Sequence, residues 1–357
     1  MADNRSWWNS LALGRNVKIQ YYRNYLLSGF LLVSITFQVG ARTFELNGDL
    51  VGELVLGSSL HADTLSDLAR AYDQGYLEMR WANPKIDPWL PGEETEILVP
   101  SYYVLPAAPQ KGIVVNVPEM RLYYYAKAKN GETPQVATHP ISIGRQQWTT
   151  PHGATKIVAK VKDPNWYPPE SIREEHAAQG DPLPEVVQAG PDNPLGAFKM
   201  RLGLPGYLIH GTNKPYGIGM RVTHGCVRMY PKDVEQIFNS VNVGTPVHIV
   251  NQPYKVGIAR EQIYLEVHPH LVEDADIFRD QFSYVVELIA AKTVGYEVQL
   301  NWTALQEAIR DKNGVPTAVG AVADIASKEP QANAEAPRLL PHEQSIFQNP
   351  INFVANE

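Results

Sequence analysis

Apolar and polar positions alternate with a period of two through most of the middle of the chain. Helical spacing is confined to short stretches. Residues 113–117 and 121–125 alternate around Pro118-Glu119, the pattern of a β-hairpin. Further strands are predicted at 136–143, 154–161, 198–202, 207–209, 246–250 and 262–267, with Gly144 and Pro151-His152-Gly153 as punctuation. Spacing of three and four predicts helices at 231–238, opened by Pro231, at 274–291 and at 302–309. Residues 162–197 have no periodicity and many prolines, with one helical piece at 170–178. A long irregular stretch inside a compact domain reads as a lid over a site.

The N-terminal third has a different texture. Residues 25–39 carry no charge, follow scattered Arg and Lys, and end in Val39-Gly40-Ala41, so 1–41 reads as a secretory signal or short anchor. From 42 to 100 the pattern is strand (50–56), helix, helix, strand (95–99). Thr64 or Asp63 caps the first helix, whose apolar face is Leu65, Leu68, Ala69 and Tyr72. The second ends at Asn83-Pro84. Residues 101–110 read as a linker, 111–250 as a β-rich domain, 251–310 as a short helical C-terminal subdomain and 311–357 as a disordered tail. The fold class is mainly β.

Composition narrows the chemistry. The formal net charge of -7 leaves no basic footprint for nucleic acid. The chain has one cysteine, Cys226, which excludes an internal disulfide and a zinc site of several thiolates. In an exported chain a leftover cysteine is a candidate reactive thiol. It lies in 208–230, a stretch that also holds His210, His224 and four glycines. A thiol attacks as thiolate and needs a base or cation beside it. His210 ends a predicted strand and precedes Cys226 by 16 residues, room for a loop to fold the two together. The amides of Gly225 and Cys226 can donate to an oxyanion, and Arg228 can pair with a substrate carboxylate. His224 supports the thiol or hydrogen-bonds backbone. By residue type alone, His210, His224 and Cys226 also suit zinc. Gly217-x-Gly219 completes no dinucleotide fingerprint.

Ile209-His210-Gly211-Thr212 and Thr223-His224-Gly225-Cys226-Val227-Arg228 together resemble the signature of the YkuD-type L,D-transpeptidases, and the resemblance runs over 111–250. The region 42–100 resembles a LysM module through Asp63-Thr64-Leu65, Ala69, Asn83-Pro84 and Gly92, although Ala62 replaces the usual glycine. With that module ahead, the chain is similar to the periplasmic ErfK/YbiS/YcfS/YnhG group. The resemblance implies a β-rich catalytic fold, no cofactor and no metal. It implies that Cys226 attacks the third residue of a peptidoglycan tetrapeptide stem, with His210 as base and acid. A carbonyl beside that histidine, from Gly211 or Thr212, orients it. Arg228, Trp166, Tyr167 and Asn213 fall at the substrate. The acyl group then passes to diaminopimelate or to a lysine of an outer-membrane lipoprotein. The inner membrane is touched only through the N-terminal segment, if it is uncleaved. Rival readings are an L,D-carboxypeptidase with water as acceptor and a non-catalytic wall-binding protein. Carbapenem acylation of Cys226 is a further implication.

Overall fold

The computed structural model describes residues 42–324 apart from residue 129. The expected export segment and the chain beyond 324 lie outside the described residues. Strands β1 (Arg42–Glu45), β2 (Leu50–Gly52) and β3 (Val55–Ser58) lead into helices α1 (Leu65–Ala71) and α2 (Tyr76–Ala82). Strand β4 (Glu96–Val99) then returns to pair antiparallel with β3. This is the strand–helix–helix–strand order that the sequence predicts. Thr64 is the cap: its hydroxyl accepts from the Asp67 amide at 3.2 Å, while Asp67 Oδ2 accepts from the Thr64 amide at 3.1 Å. After α2, the Asn83 side chain bonds both the amide and the carbonyl of Leu98, each at 2.8 Å, fixing the helix end to β4. Leu65, Leu68, Tyr72, Met79, Ile97 and Val99 form this unit's own core.

Residues 101–110 are not a free linker. They contain β5 (Tyr102–Val104), which pairs with β2 and buries Tyr103, Val104 and Leu105. Aromatic and branched residues fit a pleated, half-buried surface, and here that preference outweighs the flanking prolines.

The β-rich domain begins with the hairpin β6 (Gly112–Asn116) and β7 (Arg121–Tyr125), followed by β8 (Gln135–Gly144), β9 (Gly153–Lys162) and helix α3 (Glu170–Ala178). Then come β10 (Phe198–Leu202), β11 (Leu208–His210), β12 (Arg221–Thr223), β13 (Val227–Met229), helix α4 (Pro231–Ser240) and β14 (Pro246–Val250). Hydrogen bonding closes a ring in the order β7-β8-β13-β11-β10-β9-β14-β6 and back to β7. Strands β8 and β9 make closure possible. Each has 10 residues and pairs one neighbour along its first half and another along its second. Ile113, Ile141, Ile157, Met200, Ile209, Val227 and Met229 fill the interior.

The C-terminal region is not merely helical. Strands β15 (Tyr254–Ala259), β16 (Gln262–Val267), β17 (Tyr296–Leu300) and β18 (Thr317–Asp324) form a sheet in the order β15-β16-β18-β17. Helices α5 (Gln281–Lys292) and α6 (Trp302–Asp311) pack on it through Val285, Ile289 and Leu305. Two further expectations are corrected here. The helix predicted from 274 starts at Gln281, because the Asp280 side chain accepts from the Ser283 amide at 3.0 Å and caps it there. The tail expected from 311 continues as β18, an Ala- and Gly-containing strand with little propensity of its own. It is held by antiparallel partners on both sides. Among the described residues, no helix is long and apolar enough to cross a membrane.

Candidate active site

The geometry of the site follows from one parallel strand pair. Strands β11 and β13 lie side by side with Ile209 opposite Val227 and His210 opposite Arg228. Side chains alternate between the faces of a sheet. Ile209, Val227 and Met229 therefore point together into the core, each at most 1% exposed. His210, Arg228 and Cys226, two residues before Arg228, share the other face. The sequence period thus gathers the candidate base, nucleophile and cation on one side of the ring.

His210 is 4% exposed. Its Nδ1 lies 2.7 Å from the Gly211 carbonyl oxygen. A carbonyl only accepts, so Nδ1 carries the proton and Nε2 is left as the basic nitrogen. Of the two candidate orienting carbonyls, Gly211 is the one in contact. Thr212 instead turns its hydroxyl to accept from the Lys214 amide at 2.9 Å. Burial, and then the Arg228 charge, push His210 down from 6.5 to about 3, although the carbonyls of Gly211 and Leu195 oppose the shift. Burial also raises the Cys226 thiol above its ordinary 9.0, against the pull of the Leu208 backbone and Arg228. The resting pair is consequently a neutral thiol and a neutral imidazole. The thiol's hydrogen bond goes to the Gly206 carbonyl, at 3.7 Å.

The backbone around Cys226 is fixed from two sides. The Thr223 hydroxyl donates to the Cys226 carbonyl at 2.7 Å. The Thr150 hydroxyl donates to the Gly225 carbonyl at 2.9 Å and accepts from the Gly144 amide at 3.0 Å. The Gly225 carbonyl and the Cys226 amide share one peptide plane, so the bond from Thr150 fixes the direction of the Cys226 amide. Gly225 has φ +96°, and a Cβ there would stand 2.8 Å from the Tyr207 ring. Glycine is required both by the left-handed backbone and by the lack of room.

His224 is engaged by Glu175. Its Nε2 lies 2.9 Å from Glu175 Oε2, and the same oxygen accepts from Arg145. Trp148 packs edge-on against the His224 ring at 5.2 Å. Glu175 belongs to α3, so His224 is the point where the irregular 163–197 stretch is tied to the loop before Cys226. Hydrogen bonds from Arg145 and His224 hold the Glu175 carboxyl down at about 2.

Arg228 is half-buried, which lowers its pKa, and its buried Nε has no hydrogen-bond partner. Trp166 bridges backbone to backbone with Val187 inside the 163–197 stretch and is partly covered, while Tyr167 is 66% exposed. Asn213 is exposed and donates to the Asp192 carbonyl at 2.9 Å, pinning one loop to another. Among the described residues, the clusters able to gather around a metal do not include His210, His224 and Cys226. Sequence reasoning missed Thr150, Arg145, Glu175 and Tyr207. Only Thr223 had a local signal, a hydroxyl three residues before the thiol in a glycine-containing turn.

The β-rich ring sets a histidine at the end of β11 and a cysteine directly before β13, and comparisons with known proteins supply the class. The YkuD family model, described as the L,D-transpeptidase catalytic domain, matches residues 110–249. The probable L,D-transpeptidase YbiS of Escherichia coli K12 is 36% identical over 297 residues, 81% of this chain and 95% of that protein. The probable L,D-transpeptidase YcfS of the same strain is 42% identical over 218 residues, 60% of this chain and 67% of that protein. Among solved structures, the catalytic domain of an Enterococcus faecium L,D-transpeptidase is matched over 41% of this chain and 100% of that one, with 21% identity and a TM-score of 0.30. The chain belongs to the L,D-transpeptidase family, and so to enzymes acting on peptidoglycan.

Proposed function

We propose that the chain forms and resolves a thioester on Cys226, transferring a peptidoglycan stem from its tetrapeptide form to an amine. The observation that carries this reading is the shared face of His210, Cys226 and Arg228 across β11 and β13. In the first half-reaction Sγ attacks the carbonyl carbon of the third stem residue while the thiol proton passes to His210 Nε2. The oxyanion is met by the amides of Gly225 and Cys226. The C–N bond to the terminal D-alanine breaks, and His210 returns the proton to the leaving amine. In the second half an acceptor amine attacks the thioester carbonyl, gives its proton to His210, and the thiol is regenerated. Arg228, with unmet donor capacity beside the thiol, suits a stem carboxylate, and partly covered Trp166 with exposed Tyr167 suits the peptide's path.

The acceptor in this reading is the side-chain amine of a second diaminopimelate or a lipoprotein lysine. The setting is the periplasm, reached through the 1–41 segment. The 42–100 unit, read as LysM-like, would hold glycan near the site. Intact mass after meropenem treatment tests the nucleophile: one adduct is expected on the wild type and none on Cys226→Ala. No wild-type adduct, or an equal adduct on the variant, refutes the assignment. A labelled tetrapeptide with and without added amine tests transfer. Release of tripeptide and D-alanine without cross-linked product would assign the acceptor to water. Pull-down on purified sacculi with and without residues 42–100 tests the glycan role.

A further inference from the structure

Three side chains meet where the helical unit rests on the ring. Asp73 lies in the α1–α2 connection with φ +56°, His139 stands on β8, and Asp233 is in the first turn of α4. One donor atom from each lies within 4.8 Å of the others. His139 Nδ1 and Asp233 Oδ2 are 3.6 Å apart. That is too long for a hydrogen bond. It is close to the edge of a tetrahedron of donors around zinc, about 3.3 Å for bonds of roughly 2.0 Å.

The burial of these groups is what asks for an occupant. His139 is 0% exposed, and neither ring nitrogen has a hydrogen-bond partner. Asp233 is 4% exposed, and its Oδ2 has none either. Buried polar atoms are nearly always satisfied. Here the unsatisfied atoms of two neighbouring residues converge on one point. Asp73 adds a second carboxylate to the same cluster. Arg121 is committed elsewhere: it donates to both Glu78 oxygens, at 2.7 and 2.9 Å, and to Thr138 and Gln74. Asp73 itself is only half-buried, which leaves an ion a way in.

We propose that Asp73, His139 and Asp233 form a divalent-metal site that fastens the α1–α2 connection to β8 and α4. One imidazole nitrogen and two carboxylate oxygens suit zinc over calcium or magnesium, which prefer all-oxygen sets. Water completes the coordination on the open Asp73 side. The ion's role is structural, since its ligands join the α1–α2 connection, β8 and α4.

The test is zinc uptake by the full-length, untagged protein, measured by elemental analysis after dialysis and by calorimetric titration. Asp73→Asn is the informative variant, because its half-exposed position tolerates an isosteric amide. Stoichiometric uptake by the wild type, weakened about tenfold or more in Asp73→Asn, is expected. Cys226→Ala should bind as the wild type does. A chelator should lower the melting temperature of the wild type and leave Asp73→Asn unmoved. No uptake, equal affinity in wild type and Asp73→Asn, or loss of uptake in Cys226→Ala would each overturn the proposal. In those cases the two carboxyl groups share a proton instead.

Discussion

At the scale of single residues, the site is built on neutrality. His210 at about 3 and a thiol above 9.0 exclude a standing thiolate–imidazolium pair. In the proposed reaction proton transfer has to accompany attack, so the rate depends on His210 Nε2 being free. Above pH 3 it is. Carbapenem acylation measured against pH by stopped-flow fluorescence should therefore show no fall as pH drops through 6.5, the ordinary histidine value. A lower limb centred there would show that His210 is not held neutral by burial. Gly225 makes a second prediction. Gly225→Ala forces a Cβ to within 2.8 Å of the Tyr207 ring and strains a φ of +96°. The amide it carries would move, and acylation should slow by about a hundredfold, the cost of losing an oxyanion donor. Circular dichroism should remain that of the wild type.

At the scale of elements, α3 is held by its ionic contact rather than by packing. Only Ile172 of its nine residues is buried. Glu175 therefore carries much of the attachment, through Arg145 and His224. Partly exposed ion pairs contribute little to global stability. Their value here is positional, because His224 is two residues from Cys226. Glu175→Gln should leave the melting temperature nearly unchanged, raise amide exchange over 163–197, and slow acylation about tenfold by loosening the turn that aims the thiol. Unchanged exchange in that stretch would count against the tie.

At the scale of the whole molecule, three units are joined by buried charge. Glu78 and Arg121 link the helical unit to the catalytic ring at 2.7 Å. Lys255 links that ring to the C-terminal sheet, lying 2.9 Å from Glu119 and 2.8 Å from Glu266, with His268 2.6 Å from Glu266. Burial drives the Glu119 carboxyl up, but Lys255 and His268 outweigh it and hold it low. Removing one partner of such a pair strands the others. Lys255→Met should destabilise the chain by about 3–5 kcal/mol in urea unfolding followed by tryptophan fluorescence. A change near zero would show that the two glutamates are relieved by protonation or water.

The candidate site was legible from sequence because its spacing is local. His210 and Arg228 end up in register, and Cys226 joins their face, through strand alternation that the apolar positions Ile209, Val227 and Met229 already dictate. The strands 246–250 and 262–267 and the helix 170–178 were likewise written in local pattern and propensity. Other features were not. Strand β18 and the β5 segment take their form from neighbours distant in sequence, whose open edges and apolar faces outweigh weak or contrary local signals. Glu175 and Thr150 serve the thiol across gaps of 51 and 76 residues (226 − 175 and 226 − 150), which no periodicity encodes. The same is true of Asp73, His139 and Asp233. Alternation along one strand decides which way a side chain points, and the sequence carries that. Which distant groups meet it there depends on how the ring closes, and only the tertiary structure decides that.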